Sequence, residues 1–408
     1  MKILHTSDWH LGKKLETAKR IDEQKKFIDT LENIVENENP QIILVAGDIF
    51  DTPNPSSEAE GLFFDAMKKI SNFGKRAIII IPGNHDGAER LAASKNLARE
   101  FGIIIYEKPF EVKEVGKYGE FQVVKSFEGG LLLNIDKEEI YIYSLPYTNE
   151  SVIDEEYLNI ETFKYKKNPD EISSENIDYS KKIGIILKNG IDFVENLNIP
   201  KIIMSHLFIA GSSGDGDEKP IELGGSKAVN LGDLPEADYI ALGHIHKPMK
   251  YISKRACYSG SPIEYRVTEN KYSKKIFMVD VKGKLQTDIK EIQLENYKPI
   301  KIYEVSSIEE GITLSKEFME KNQWIYLKIH TDKYLSSKDI REINKNKNIV
   351  EIIPILEGQE NENGQNINID YSQLNIKDAF IEFYKSEDGI EPSGEVVDLF
   401  LKLLEEDK

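Results

Sequence analysis

Four short runs dense in isoleucine, leucine and valine divide the first 107 residues: KILHT (2–6), QIILVAG (41–47), AIIIIPG (77–83) and GIIIYE (102–107). None alternates apolar with polar residues, so each predicts a strand buried on both faces. Between them the spacing predicts helices over 20–37, 56–72 and 88–101. In the second of these Leu62, Phe63, Ala66, Met67 and Ile70 recur at helical spacing. Continuous buried strands joined by helices are βαβ units, which constrain this part of the chain to a largely parallel α/β sheet.

Further along, short strands over 121–145 are split by Gly129-Gly130 and by the charged turn at 136–139. Residues 150–178 are polar and acidic and read as a loop with short helices. A helix is expected over 181–196 and a buried strand at KIIMSH (201–206). The stretch GSSGDGDEKPIELGGS (211–226) is too long for a simple connection, and such loops are usually functional or mobile. Another strand spans 238–243, and antiparallel strands follow through 292. The first part, 1–285, therefore reads as a two-sheet α/β sandwich. Residues 286–357 hold a compact α+β unit in which strands alternate with helices. A polar linker follows at 358–373, and two amphipathic helices occupy 374–408. One carries Ala379, Phe380, Phe383 and Tyr384. The other starts near Ser393, a suitable N-cap, and carries Val396, Val397, Phe400, Leu403 and Leu404.

The 408 residues carry a formal charge of −18, which at first argues against a nucleic-acid partner. Its distribution changes that reading. Residues 1–350 hold 49 basic and 56 acidic side chains, a net of −7, whereas 351–408 hold 4 and 15, a net of −11. The acidity is concentrated in the tail, which suggests a separate task for that segment. No apolar run approaches the ~20 residues of a membrane span, and MKILHTSDWH has no leader-like apolar stretch, so a cytoplasmic, membrane-free protein is expected. The single Cys257 excludes an intramolecular disulfide and any cysteine-rich metal cluster. Without an activating motif it reads as a small buried hydrophobe.

Five of the seven histidines sit at the ends of predicted strands, beside Asp, Asn or Gly. They are His10 in SDWHLG, His85 in GNHD, His206 in MSHL, and His244 and His246 in GHIH; Asp8, Asp48 and Asn84 lie at the same junctions. His5 and His330 fall inside strand patterns and read as core or sheet residues. Loops at the carboxyl ends of strands are where α/β folds place their sites. Carboxylate, imidazole and amide oxygen without thiolate suit manganese, iron or zinc. Seven or eight such ligands exceed one metal's needs and match two metals sharing a bridging carboxylate. The chain has no Walker A loop, so it is not expected to hydrolyse ATP itself.

The order Asp8-x-His10, Gly47-Asp48…Asp51, Gly83-Asn84-His85-Asp86, His206 and Gly243-His244-x-His246 resembles the calcineurin-like metallophosphoesterases. The strings TSDWHLG, GDIFD, PGNHD and LGHIHKP are similar to the family of nuclease subunits of SbcCD-type double-strand-break exonucleases, as is LNIKDAFIEFYKSEDG in the tail. The resemblance implies an α/β fold, a two-sheet αββα metallophosphoesterase sandwich with a small α+β capping domain and C-terminal partner-binding helices. It implies Asp8, His10, Asp48 and His246 around one cation and Asp48, Asn84, His206 and His244 around the other, with manganese (Mn2+) as the metal. His85 would be catalytic rather than a ligand, and Asp51 matches the position that orients it. The implied activity is DNA hydrolysis, as 3′–5′ exonuclease and endonuclease on duplex ends and hairpins, in the nucleoid. The implied partner is an SbcC-type SMC-like ATPase held by 374–408, and helices 56–72 and 88–101 would form a homodimer. Lys13, Lys14, Arg90, Lys95 and Arg266 are the candidate DNA contacts, by their closeness to the site loops. A phosphatase or phosphodiesterase on a smaller ester, or a non-catalytic scaffold, remains an alternative reading.

Overall fold

The computed structural model describes residues 1–149, 152–153, 178–212, 228–332 and 335–356, together with Lys377, Pro392, Val396 and Val397. The chain divides into two compact units, Met1–Ile355 and Leu356–Lys408. In the first unit the chain runs β1 (Lys2–Thr6), β2 (Lys14–Leu15), β3 (Ala18–Lys19), α1 (Ile21–Glu38), β4 (Ile42–Ala46), α2 (Ser57–Ile70) and β5 (Ala77–Ile81). Next come α3 (Ala88–Leu91), α4 (Lys95–Glu100), β6 (Ile103–Ile105), β7 (Gly116–Tyr118), β8 (Phe121–Phe127), β9 (Gly130–Ile135), β10 (Glu138–Leu145) and α5 (Tyr179–Asp192). They are followed by β11 (Lys201–His206), β12 (Tyr239–Gly243), β13 (Met249–Tyr251), β14 (Ala256–Tyr258), β15 (Lys275–Gly283) and β16 (Gln286–Gln293). The last elements are β17 (Ile300–Val305), α6 (Ile308–Glu317), β18 (Trp324–Thr331), α7 (Ser337–Ile343) and β19 (Ile349–Leu356).

Two mixed sheets form the body. One has the order β16-β15-β1-β4-β5-β6 and the other β13-β14-β12-β11-β10-β9-β8-β7. The strand sequences explain the layering. Leu4, Ile43, Val45, Ile78 and Ile80 pack under α1 and α2, with Phe27, Leu31, Phe63 and Met67. Their strand neighbours Ile3, Ile42, Leu44, Ile79 and Ile81 point the other way, onto Ile202, Met204, Tyr239 and Ala241 of the second sheet. Beyond that sheet, Ile203, Ile240 and Leu242 meet Ile183, Ile186 and Leu187 of α5. Both faces of each central strand are thus apolar, and helices close the two outer faces, which gives the αββα order of layers.

Three details depart from the reading of local pattern. The helix expected over 88–101 is broken into α3, a 3-10 turn at Ala92–Ser94, and α4. β14 runs parallel to β12 rather than antiparallel. The strand β16, beyond the expected boundary at 285, pairs antiparallel with β15 and forms the edge of the first sheet. The loop at 213–227, the acidic stretch at 154–177, the linker at 358–373 and nearly all of the tail helices lie outside the described residues.

β17, β18 and β19 make a separate three-stranded sheet, with α6 and α7 supplying its helices. Its other face carries Ile300, Trp324 and Tyr326, which pack on Leu15 of the β2–β3 hairpin. Trp324 Nε1 donates to Glu23 at 2.8 Å, and the Tyr326 hydroxyl to Glu16 at 3.0 Å. The small sheet is therefore joined to the loop that follows the first strand. Among the described residues no helix is long and apolar enough to cross a membrane.

Candidate metal centre

The junctions singled out in the sequence converge. Asp8 and His10 follow β1, Asp48 follows β4, and Asn84 and His85 follow β5. His206 ends β11, and His244 and His246 follow β12. All five strands present their carboxyl ends to one place, where open α/β sheets build sites. Backbone bonds join the first two loops, Asp8 N–H to Gly47 O at 3.0 Å and His10 N–H to Asp48 O at 2.9 Å. Asp8, His10, Asp48 and His244 all have positive φ, between 43° and 101°. Such backbone costs roughly 1–3 kcal/mol per residue and persists where the surroundings impose it. Gly83 shows why a side chain is excluded beside them: a Cβ there would run into the Asp48 carboxylate.

Asp48 has a divided carboxylate. Oδ1 accepts the His85 backbone N–H at 2.9 Å, while Oδ2 faces His10 Nε2 at 3.6 Å and His206 Nε2 at 3.4 Å. Asn84 Oδ1 stands 3.1 Å from both His206 Nε2 and His244 Nδ1. Asp8 accepts the His244 N–H on Oδ1 at 2.9 Å and the Ser7 hydroxyl on Oδ2 at 2.5 Å. Asp8, His10 and His246 form one group able to hold a metal ion, and Asp8, Asp48 and His206 another. A third comprises His10, Asp51 and His85.

Tautomers follow from acceptors that cannot donate. His206 Nδ1 is 2.9 Å from the Ala46 carbonyl and His246 Nδ1 is 3.0 Å from Glu269 Oε1, so both Nδ1 atoms carry the proton. In the neutral rings the lone pair then lies on Nε2, the atom that a cation would bind. His246 Nε2 and His10 Nε2 stand only 3.0 Å apart beside Asp8, and among the described residues His10 Nδ1 makes no hydrogen bond, the Asp51 carboxylate standing 3.5 Å away. Buried nitrogens crowded in this way fit a divalent cation held between them. Burial pushes the Asp8 carboxyl up to about 6, and the nearby Asp48 charge adds to this against the two histidines. Burial acts the same way on Asp48, yet His206 holds it well below the usual carboxylate range. Asp48 in turn holds His206 up at about 9, against the opposing effect of burial.

Asp51 does meet His85, but through its backbone carbonyl, 2.9 Å from Nδ1. Its carboxylate instead accepts from Lys13 Nζ at 2.7 Å and lies 3.5 Å from His10 Nδ1. Lys13 is thus engaged, Arg90 pairs with Glu60 at 2.8 Å, and Lys95 with Glu107 at 2.9 Å. Lys14 and Arg266 are exposed, and neither charge is paired among the described residues. His5 is buried against the Tyr239 hydroxyl at 2.8 Å, and His330 pairs with Glu304. Cys257 is buried, which raises its thiol to about 12.

Sequence reading assigned no task to Asp86, Glu269 or Gln24. Asp86 accepts the N–H groups of Ile49 at 3.1 Å, Phe50 at 2.8 Å and Gly83 at 2.8 Å, tying two site loops together. Gln24 binds Gly12 N–H and the His10 carbonyl from α1. Asp86 had a signal, its place in GNHD; the other two are polar residues in ordinary surroundings until the chain folds.

A family model described as calcineurin-like phosphoesterase matches residues 1–248. The chain belongs to that family. Within the calcineurin-like phosphoesterases it is similar to the SbcD subunit of the SbcCD nuclease of Bacillus subtilis (strain 168), 34% identical over 413 residues, covering 99% of this chain and 97% of the relative. The protein of the same name from Staphylococcus epidermidis is 27% identical over 331 residues, covering 81% of this chain and 79% of its own length. A crystal structure of a Thermus thermophilus protein aligns at a TM-score of 0.37 and 11% identity, over 71% of this chain and 98% of that one, too distant to bear on function. The metallophosphoesterase match and the His/Asp clusters fall on the same loops.

Proposed function

We propose that this calcineurin-like phosphoesterase is the nuclease subunit of an SbcCD-type complex, a dimetal enzyme hydrolysing phosphodiester bonds at duplex DNA ends and hairpins. The observation that carries this reading is Asp48 Oδ2, which faces His10 and His206 from between them while Oδ1 is taken by a backbone N–H. In it, Asp8, His10, Asp48 and His246 hold one cation, and Asp48, Asn84, His206 and His244 the second, with manganese as the metal. When bound, two such cations polarise the phosphoryl group and make a nucleophile available at neutral pH.

The chain's own residues do the rest. His85 donates a hydrogen bond from Nδ1 to the Asp51 carbonyl, so in its imidazolium form Nε2 carries the proton it would pass to the leaving oxygen, the ring ending neutral with its proton on Nδ1. Its backbone N–H orients Asp48. Asp86 holds the two loops that carry these residues in register. Exposed Lys14 and Arg266 are the proposed phosphate contacts, and the sheet of β17, β18 and β19 the proposed cap over a large substrate. The proposed domain plan moves the end of the nuclease part from 285 to the end of β16 at Gln293, with the cap following through 357, 358–373 as linker and 374–408 as the binding segment for an SbcC-type ATPase, in the cytoplasm. An apolar groove of about 250 Å³ lined by Phe63, Phe64, Met67, Leu97 and Phe101 is the proposed homodimer face. Phe64 and Leu97 are 50% and 65% exposed in this one groove, and contiguous exposed apolar surface is what marks an interaction face.

The purified chain with manganese, given linear duplex, a DNA hairpin and p-nitrophenyl phosphate esters, tests the reading. Cleavage of duplex and hairpin is expected. Ester turnover without DNA cleavage would favour a phosphatase, and metal binding without any turnover a scaffold. Deleting 374–408 should abolish binding of the ATPase and spare cleavage of short DNA; a truncated chain that still binds it rules out the tail's role.

A further inference from the structure

The 3-10 turn Val267–Lys271 has one buried residue, and it is a glutamate, Glu269. An ionised carboxylate inside a protein is costly unless several partners meet it. Here Oε1 accepts from His246 Nδ1 at 3.0 Å. Oε2 pairs with Lys274 and accepts from the Tyr265 N–H at 3.2 Å and the Ser261 hydroxyl at 3.3 Å. Lys274 is buried as well, and its Nζ donates to the carbonyl of His246 itself at 3.3 Å. The ion pair thus grips residue 246 at both ends, ring and backbone. At His10, the histidine opposite, the carboxylate facing Nδ1 is Asp51, farther off at 3.5 Å and shared with Lys13.

We infer that Glu269, backed by Lys274, is a positioning residue that fixes the ring of His246 so that Nε2 presents a lone pair to the first cation. The inference rests on the dimetal reading above. A buried ion pair is weak evidence for stability as such, since apolar residues of similar volume often do as well. What an apolar pair could not do is take the proton on Nδ1 and set the ring's rotation. A carboxylate behind a histidine ligand does both and raises the basicity of the ring; losing it typically costs about 10- to 100-fold in metal affinity. The same segment reaches the small sheet. Glu264 accepts the Ile300 N–H at 3.1 Å, and its carbonyl accepts from Arg20 at 2.7 Å. The ring of His246 is therefore set by a turn that also touches the proposed cap.

The test uses the full chain and three variants, Glu269→Gln, Glu269→Ala and the double variant E269L/K274M, which leaves no unpaired buried charge. Manganese binding is titrated calorimetrically, beside melting temperature and the manganese concentration that gives half-maximal cleavage. The double variant, in which the buried Tyr265 N–H and Ser261 hydroxyl lose an acceptor, should melt below the parent yet stay folded, and bind one of two ions about 10- to 100-fold more weakly. Its half-maximal manganese should rise to match, with cleavage recovering at excess metal. Glu269→Gln, whose amide oxygen still accepts from Nδ1, should stay within a few-fold of the parent, and Glu269→Ala should not. A double variant that binds both ions as the parent does overturns the inference alone. A parent chain that binds no pair of ions overturns it together with the dimetal reading.

Discussion

Replacing Asp86 tests how the site is held. Its carboxylate accepts three backbone N–H groups, Ile49 and Gly83 on Oδ2 and Phe50 on Oδ1. Glu, one methylene longer, does not fit this triad, so the informative variants are Asn and Ala. In Asp86→Ala all three donors lose their acceptor. At about 1–3 kcal/mol for each buried donor left unmade, and with water able to reach a half-buried residue, the loss is about 3–6 kcal/mol. In Asp86→Asn the amide oxygen can keep the two donors on the Oδ2 side, while its NH2 group meets the Phe50 N–H donor to donor. That variant should lose about 1–3 kcal/mol. Equilibrium urea unfolding at pH 8, followed by the fluorescence of buried Trp9 next to the first site loop, reads both numbers. Because the two loops carry Asp48 and His85, the Ala variant should also bind manganese more weakly than the Asn variant. Equal destabilisation by Ala and Asn, or less than about 0.5 kcal/mol for either, would refute the claim that these hydrogen bonds hold the loops together.

Three more outcomes are expected. His85→Ala should keep both metals and lose about 10²- to 10⁴-fold in turnover, the range for a proton donor; two ions bound with unchanged rate would end that role. Replacing Lys14 and Arg266 by Ala should flatten the dependence of log kcat/KM for duplex DNA on log salt by about 0.9 for each phosphate no longer neutralised, with small-ester turnover unchanged. An unaltered slope would remove both from the DNA path. Cys257, whose thiol burial pushes up to about 12, stays protonated at pH 8, and protonated thiol is not the reactive form. It should resist iodoacetamide in the native chain and react once in urea; fast native alkylation would contradict its burial.

The layered sheets and the position of the site were legible because both are written locally. A continuous apolar run predicts a strand buried on two faces, and a polar residue at its carboxyl end marks a site loop whatever the partner strand is. Asp8, Asp48, Asn84, His206 and His244 could be picked out on that basis, each from its own few neighbours. The break in 88–101 was not, because helical spacing continues through it, and Leu91, Ala92 and Ala98 on both sides of it reach the same core.

What sequence alone determined is therefore the inventory: which strands are buried, and which side chains stand at their ends. Only the tertiary structure decided who meets whom. His10 faces His246 across 236 residues of chain because β1 and β12 lie in different sheets that end at one edge. Asp51 holds His85 by a carbonyl, a group every residue has and no side-chain pattern can reveal. Glu269 acts on His246 because an otherwise ordinary turn folds its carboxylate inward, beside Lys274. Strand burial is a property of a few consecutive residues; these contacts depend on strand order and loop path, which belong to the whole fold.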